Sequence, residues 1–155
     1  MRATIQRVSQ ARVDVGDKTI SSINQGLVVL FGVGQDDTEQ DLDWLIKKLI
    51  ELRIFSDDQG KMNLSIIEAK GEMLLISQFT LFANCNNGRR PSFIQAAEPE
   101  LARKMYELAL KKIADQGIKI VTGQFGTYMN VHLVNDGPVT INLDSQNSPA
   151  LKNQD

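Results

Sequence analysis

The sequence has very little of the residues that carry metal, disulfide or thiol chemistry. It contains one cysteine, Cys85, and one histidine, His132. A single cysteine cannot form an intrachain disulfide, and these two residues supply too few ligands for a typical zinc site. We therefore expect no metal centre of this kind and no cofactor, with a carboxylate-bound magnesium ion left open.

Long apolar runs and excess charge are also missing. No segment approaches the roughly 20 apolar residues that span a bilayer, and the first eight residues alternate apolar with polar, unlike a signal peptide. We expect a cytoplasmic protein without membrane contact. The net charge of −2 gives no bulk attraction for nucleic acid, so RNA contact would need a local basic patch.

The apolar pattern predicts two helices and seven or eight strands, which indicates a mixed α/β domain. One helix begins after Thr38 and runs to about Arg53, and the other runs from Pro99 to Gly117. One domain is expected over residues 1–145, followed by a loose polar tail at 146–155. The strands are expected at residues 2–15 (one long strand or a hairpin arm), 19–23, 27–33, 72–82, 118–122, 128–134 and 139–143.

Two segments could form binding surfaces. Ser77-Gln78-Phe79-Thr80 follows an apolar run, and is either the end of a strand lining a pocket or a strand emerging at the surface. Gly88-Arg89-Arg90-Pro91-Ser92 is either a phosphate-binding loop or a solvated one. Arg53, Lys61 and Lys70 could join it only if the fold brings them close.

The segment Asn135-Asp136-Gly137-Pro138-Val139-Thr140 reads as a hairpin turn by composition alone, because Asp-Gly is a strong turn signal. His132, on the preceding strand, is either a base or a structural residue. Cys85 has no evident activating partner, so a thiol nucleophile is not expected.

These segments, taken together and in this order, resemble the D-aminoacyl-tRNA deacylase family of the bacterial and eukaryotic type. The resemblance covers about residues 1 to 145. It rests on Met1 to Val8, Leu52-Arg53-Ile54-Phe55, Gly60-Lys61-Met62-Asn63, Ser77-Gln78-Phe79-Thr80-Leu81, Gly88 to Phe93, Thr122-Gly123-Gln124-Phe125-Gly126 and Asn135 to Thr140.

The resemblance implies an α/β fold, a single three-layer β/β/α domain with mixed, barrel-like sheets and two main helices. It implies hydrolysis of D-aminoacyl-tRNA by a homodimer. The Gly137-Pro138 bond would be cis and would enter the pocket of the partner subunit.

The same resemblance assigns roles to individual residues. Arg7 would hold the Gly137-Pro138 carbonyls. The site would consist of the catalytic segment Ser77, Gln78, Phe79 and Thr80, with Phe125 and Met129 on the substrate, and Arg89 and Arg90 on the tRNA.

An aminoacyl ester is reactive, so positioned water and donors for the oxyanion suffice, and one donor contributes roughly 3 kcal/mol. Ser77, Gln78 and nearby backbone N–H groups could supply them. The resemblance implies assistance by the ribose 2′-hydroxyl, whereas a covalent Thr80 is the alternative. A backbone carbonyl at Gly137 would reject L side chains, and glycyl-tRNA would be accepted.

Three other functions fit parts of the sequence. They are a non-catalytic RNA-binding module, a small-molecule ester or amide hydrolase, and a structural dimer whose Gly-Pro turn only closes a hairpin. The preferred amino acid and tRNA, and any metal dependence, are not fixed by the sequence.

Overall fold

The computed structural model describes residues 1–152, which form eight strands, two long helices and three short helical segments. The strands are β1 (Arg2–Val15), β2 (Lys18–Ile23), β3 (Gly26–Gly32), β4 (Phe55–Ser56), β5 (Met62–Leu64), β6 (Glu72–Ser77), β7 (Ile120–Thr122) and β8 (Asn130–Asp144). The helices are α1 (Glu39–Glu51), α2 (Pro99–Ala114) and α3 (Pro149–Lys152), with 3-10 turns at Phe79–Phe82 and Ser145–Asn147.

The main sheet has the order β2-β1-β3-β6-β7, and β8 pairs with the free side of β1. The long strand predicted at residues 2–15 is confirmed. It pairs antiparallel with β2, β3 and β8, and its two halves have different neighbours, so the sheet bends toward a barrel. The strands β3, β6 and β7 run parallel to each other.

Two hydrophobic cores lie on opposite faces of this sheet, which confirms the predicted α/β class and its layers. Alternate residues of β3 enter different cores: Val29 packs toward the helices, and Val28 packs into the smaller core under the bent end of β1. Both faces of β3 and β6 are therefore buried, which explains their uninterrupted apolar sequences.

Both predicted long helices are confirmed. Thr38 precedes α1, and its backbone N–H donates to the carboxylate of Asp41 at 2.9 Å, which satisfies one of the free amides at the helix start. Pro99 is the first residue of α2. Gly117, with φ of 77°, lies just beyond its end, where a left-handed residue commonly terminates a helix.

Two strand predictions are wrong in their extent. β6 ends at Ser77 and the chain continues as a 3-10 turn, so the strand does not reach Phe82. The strands expected at 128–134 and 139–143 are one strand, β8, and no hairpin turn separates them. A hairpin would pair its two arms with each other, whereas both arms here pair with β1.

The end of the described chain packs against its beginning. The ammonium group of Met1 is buried and donates to Asp37 Oδ1 at 2.5 Å and to Ser145 Oγ at 2.6 Å. Residues 146–152, inside the expected tail, form helical turns in which Ser148 is buried. The rest of that tail, residues 153–155, lies outside the described residues. None of the helices formed by residues 1–152 combines the length and the apolar composition that a membrane span requires.

Candidate active site

The carboxyl ends of the three parallel strands meet at one edge of the sheet. Phe31 of β3 is level with Ser77 of β6, and Leu75 of β6 is level with Thr122 of β7. In α/β sheets ligands bind outside the carboxyl ends of such strands. We call Ser77–Thr80, with Phe125 and Met129, the strand-end site.

The segment Ser77–Thr80 is where β6 turns into the 3-10 turn. The Gln78 backbone N–H donates to Phe31 O at 2.8 Å. The next two amides, of Phe79 and Thr80, begin the turn and have no acceptor within residues 1–152, as expected for the first amides of a helical turn. Gln78 Nε2 donates to Thr80 Oγ1 at 2.5 Å. Two unpaired amides therefore adjoin the polar side chains.

Phe79 is the large apolar side chain of the Ser77–Thr80 segment, and it is exposed. Its ring is 55% exposed and lies edge-on against the Phe93 ring, with centroids 5.0 Å apart. An exposed ring beside unpaired amides can contact a base or an amino acid side chain.

The segment between β7 and β8 forms the other wall and brings the predicted Phe125 and Met129 to the same edge. Met129 Sδ accepts from Gln124 N at 3.1 Å. The Phe125 ring lies 5.9 Å from the ring of Tyr106, whose hydroxyl donates to Leu75 O at 2.7 Å. Burial raises the pKa of Tyr106, so its hydroxyl keeps the proton that it donates.

The predicted basic loop continues from the 3-10 turn. Asn84 and Ser92 close it through two backbone hydrogen bonds of 2.7 and 2.9 Å. Arg89 and Arg90 are exposed, and neither joins the ion pairs formed by residues 1–152. Their guanidinium groups are thus available to an anion.

The other basic residues considered with this loop lie elsewhere. Arg53 donates to Asn63 O at 2.7 Å beside the β4–β5 pair. Lys70 precedes Gly71 and Glu72 at the start of β6. The fold therefore places them at the opposite end of β3 and β6 from Arg89 and Arg90.

The Gly137-Pro138 motif is a bulge in β8. Val8 of β1 pairs with Asn135 and Gln6 pairs with Thr140, so the single residue Arg7 faces residues 136–139, which we call the Gly-Pro bulge. The Gly137-Pro138 peptide is cis and both residues are exposed.

Side chains hold the bulge in place. Arg7, which is only 8% exposed, donates from Nε to Asp136 O at 2.9 Å and from Nη1 to Ile54 O at 2.6 Å. Asn135 Oδ1 accepts from Val139 N at 2.8 Å, and its amide donates to Thr140 Oγ1 at 3.1 Å. The predicted partnership of Arg7 with this motif thus has a direct contact, to Asp136 O.

The strand-end site and the Gly-Pro bulge lie far apart within one chain. Arg7 pairs with Leu27, whereas Ser77 is level with Phe31, four residues or about 13 Å farther along β3. β8 and β6 are also three strand spacings apart, about 14 Å in total. One chain cannot bring both motifs to the same substrate atom.

His132 and Cys85 do not complete a catalytic set. His132 pairs with Arg12 at the far end of β1, and its Nε2 lies 2.9 Å from Asp14 Oδ2. A hydrogen bond from Thr19 lowers the pKa of Asp14. Cys85 is exposed in the basic loop. No cluster of three or more His, Cys, Asp or Glu side chains suited to a metal lies within residues 1–152.

A cavity of about 750 Å³ lies away from the strand-end site. It lies between β1, β8 and α1, and its lining includes Trp44, Lys48 and Leu81. Residues that sequence reasoning missed at the strand-end site are Arg103 and Tyr106 of α2. Their spacing of three places them on one helix face, which is the signal that could have found them.

A family model and individual relatives of known name point to the same protein family. The chain matches the D-Tyr-tRNA(Tyr) deacylase family over residues 4–144. It is 54% identical over 147 residues to the D-aminoacyl-tRNA deacylase of Thermosipho melanesiensis, covering 94% of this chain and 98% of that protein. It is 53% identical over 148 residues to that of Clostridioides difficile, covering 96% and 99%.

Two solved structures share the fold. The c-Myc DNA Unwinding Element Binding Protein superimposes with a TM-score of 0.88 at 39% identity, covering 93% of this chain and 98% of that chain. A probable eukaryotic D-amino acid tRNA deacylase superimposes with a TM-score of 0.78 at 17% identity, covering 92% and 98%.

Proposed function

This chain belongs to the D-Tyr-tRNA(Tyr) deacylase family, and we propose that it hydrolyses the ester of D-aminoacyl-tRNA while rejecting L-aminoacyl-tRNA. The observation that carries this proposal is the pair of unpaired amides at Phe79 and Thr80, located where three parallel strands end. Donors fixed in this way are suited to the oxyanion of an ester hydrolysis.

The chemistry needs no activated side chain. The ester carbonyl accepts from the Phe79 and Thr80 amides, and one such donor contributes roughly 3 kcal/mol to the transition state. Water attacks the ester carbonyl carbon, and the bond from that carbon to the 3′-oxygen of the terminal ribose breaks. The 2′-hydroxyl of the same ribose assists this hydrolysis. The Thr80 hydroxyl already accepts from Gln78, and His132 lies at the far end of β1. A covalent Thr80 would therefore lack its base.

Chirality is selected by the Gly-Pro bulge. A backbone carbonyl held where an L side chain would point excludes every L residue, whereas a D residue directs only its hydrogen there. Arg7 and Asn135 supply the rigidity that this exclusion needs. Glycine has no side chain to exclude, so glycyl-tRNA is also a substrate.

The enzyme acts as a homodimer in which the Gly-Pro bulge of one subunit enters the strand-end site of the other. The separation of the two motifs within one chain supports this arrangement. A two-fold axis would make the contact reciprocal and give two complete sites. Arg89 and Arg90 lie beside the site and join no ion pair among residues 1–152, and they contact the tRNA backbone.

The direct test incubates the protein with D-tyrosyl-tRNA and L-tyrosyl-tRNA and follows free tyrosine. We expect release from the D substrate only, and release from glycyl-tRNA in a parallel reaction. An RNA-binding module would bind both tRNAs and release nothing. A small-molecule hydrolase would cleave tyrosine ethyl ester without requiring RNA. Absence of release from D-tyrosyl-tRNA would overturn the proposal.

A subunit-mixing experiment tests the dimer. The Gly137→Ala variant has a defective bulge, and a Thr80→Trp variant has a filled strand-end site. Random mixing forms half heterodimers, each with one intact site in two, so activity should return to about a quarter of wild type. No recovery, in a mixture shown by mass to contain heterodimers, would contradict action across the interface.

A further inference from the structure

Arg103 projects from α2 onto the aromatic ring of Phe125. Its guanidinium carbon lies 4.6 Å from the ring centroid, which is cation–π distance. The residue is exposed. A guanidinium that lies on a ring keeps its N–H groups free at its edge, where they can form two parallel hydrogen bonds to a phosphate.

A stack of side chains connects Arg103 to the strand-end site. Tyr106, one turn later on α2, lies 5.9 Å from the Phe125 ring and 6.3 Å from the Phe31 ring. Its hydroxyl donates to Leu75 O, two residues before Ser77. Arg103 is therefore the outermost member of the row Phe31, Tyr106, Phe125 and Arg103, which leads outward from the strand ends.

The charge of Arg103 is not neutralised locally. Glu100 and Glu107 stand three residues before and four residues after it, spacings that allow helix ion pairs. Arg103 nevertheless takes part in none of the ion pairs found between residues 1 and 152.

Arg2 provides the contrast. It lies over the Phe82 ring at the same 4.6 Å, but its guanidinium also donates to Asp144 Oδ2 at 3.1 Å and to Leu81 O at 2.9 Å. The guanidinium of Arg2 therefore has its hydrogen-bond acceptors inside the folded chain. Arg103 has the same aromatic support, and it has no carboxylate partner among the residues that the structure describes.

We propose that Arg103 binds a backbone phosphate of the single-stranded 3′ end of tRNA as that end enters the strand-end site. This inference rests on the proposed function and adds a tRNA contact on α2 to those of the basic loop. The ligand chemistry is a phosphodiester of single-stranded RNA. The contact positions the substrate and takes no part in bond cleavage.

The test compares two substrates, D-tyrosyl-tRNA and 3′-O-D-tyrosyl-adenosine, which keeps the ester and the terminal nucleoside but has no phosphate. For Arg103→Ala we expect kcat/KM on the tRNA to fall about tenfold, mainly through KM, with the adenosine ester unaffected. The dependence of log(1/KM) on log salt should lose about 0.7 of its slope, the value for one contact to a single strand. Arg103→Lys should recover part of the loss.

Lys111→Ala, an exposed cation in the last turn of the same helix, is the matched control and should leave both substrates unaffected. Equal losses on both substrates, or a lowered melting temperature that accounts for the loss, would assign Arg103 a structural role and overturn the proposal. Unchanged kinetics on tRNA would also overturn it. A wild-type enzyme inactive on both substrates would instead refute the proposed function, and this contact with it.

Discussion

The strand-end site and the Gly-Pro bulge are held in place by different kinds of hydrogen bond. In the strand-end site, the backbone of Ser77–Thr80 is fixed by bonds between backbone groups: Gln78 N donates to Phe31 O at 2.8 Å, and Ala83 N donates to Thr80 O at 3.0 Å. At the bulge both anchors, Arg7 and Asn135, are side chains. The β8 backbone pairs with β1 on either side of the bulge but not within it.

This difference predicts how each region responds to substitution. A segment positioned by its backbone keeps its amides in place when a side chain is removed. A segment positioned by side chains moves when one of them is lost, and a displacement of about 1 Å can reduce catalysis about 100-fold. Substitutions at the bulge should therefore have larger effects than substitutions at Thr80.

The largest effect is expected for Gly137→Ala. A Cβ at this position would lie 2.7 Å from Val139 Cγ2, 2.9 Å from Val139 N and 3.2 Å from Arg7 Nη2, at a φ of +140°. The backbone must shift, so we expect D-tyrosyl-tRNA hydrolysis to fall at least about 100-fold. Because the bulge is exposed, the free energy of unfolding should drop by only about 1 to 3 kcal/mol. Single-turnover kinetics and urea unfolding measure the two quantities.

Gly16→Ala is the control for that variant. Gly16 also has a positive φ, +57°, but a Cβ there meets nothing within 4 Å. It should lose about 1 to 2 kcal/mol of stability and keep its activity. If Gly137→Ala hydrolysed D-tyrosyl-tRNA at the wild-type rate and still released nothing from L-tyrosyl-tRNA, the bulge would have no role in selection.

Arg7→Ala should have the second-largest effect. It leaves the carbonyls of Asp136 and Ile54 without their donor in a mostly buried setting, which costs about 2 to 3 kcal/mol. The bulge then loses its anchor, and activity should fall about 10- to 100-fold. Thr4→Ala, which removes an exposed 2.7 Å bond from Thr4 to Asn142 on the same strand pair, is the control and should change neither quantity. Wild-type activity in a folded Arg7→Ala protein would contradict the anchoring role.

Much of the fold could be predicted because its signals are local. The helical spacing of apolar residues is enough to predict α1, and the continuous run of apolar residues is enough to predict β3. The end of β6 was harder to predict, because Phe79, Leu81 and Phe82 continue the apolar character of the strand. Only Phe82 is buried, and the chain turns at Gln78, which a single segment's pattern does not reveal.

The bulge could not be predicted from its own residues. Asp-Gly indicates a hairpin, and that local signal is outweighed here by the pairing of both arms with β1. Such pairing joins residues that are far apart in the sequence, such as Gln6 and Thr140. In the sequence, the family resemblance alone associates Arg7 with this motif. Arg103 can be identified as a site residue only from the packing of α2 against the segment after β7.

A smaller effect is expected for Tyr106→Phe, which tests the inner support of the strand-end site. Losing the donor to Leu75 O should cost about 1 kcal/mol and reduce activity only a few-fold. The pH dependence gives a second readout. Burial raises the pKa of Tyr106 above its ordinary value of 10.0, so its stabilising contribution is complete below pH 10 and is lost as the pH rises further, when only the unfolded chain ionises. Wild-type stability should therefore fall more steeply above pH 10 than that of the variant.

Tyr128→Phe is the control for that experiment, because Tyr128 is 87% exposed. Removing its hydroxyl group should change neither the free energy of unfolding nor the dependence of that energy on pH above 10. Identical alkaline slopes in the wild type and Tyr106→Phe would contradict the burial of this hydroxyl.

The smallest effect is expected for Thr80→Ala. The substitution removes the hydroxyl that accepts from Gln78, but the amide of Thr80 stays in the turn fixed by backbone bonds. If the amides bind the oxyanion and water attacks, activity should stay within about threefold of wild type, far less than the loss of an oxyanion donor would cause. The measurement is kcat on D-tyrosyl-tRNA, with tRNA binding measured in parallel. Complete loss of kcat with binding intact would favour a covalent Thr80, and would remove the contrast between a region held by its backbone and one held by its side chains.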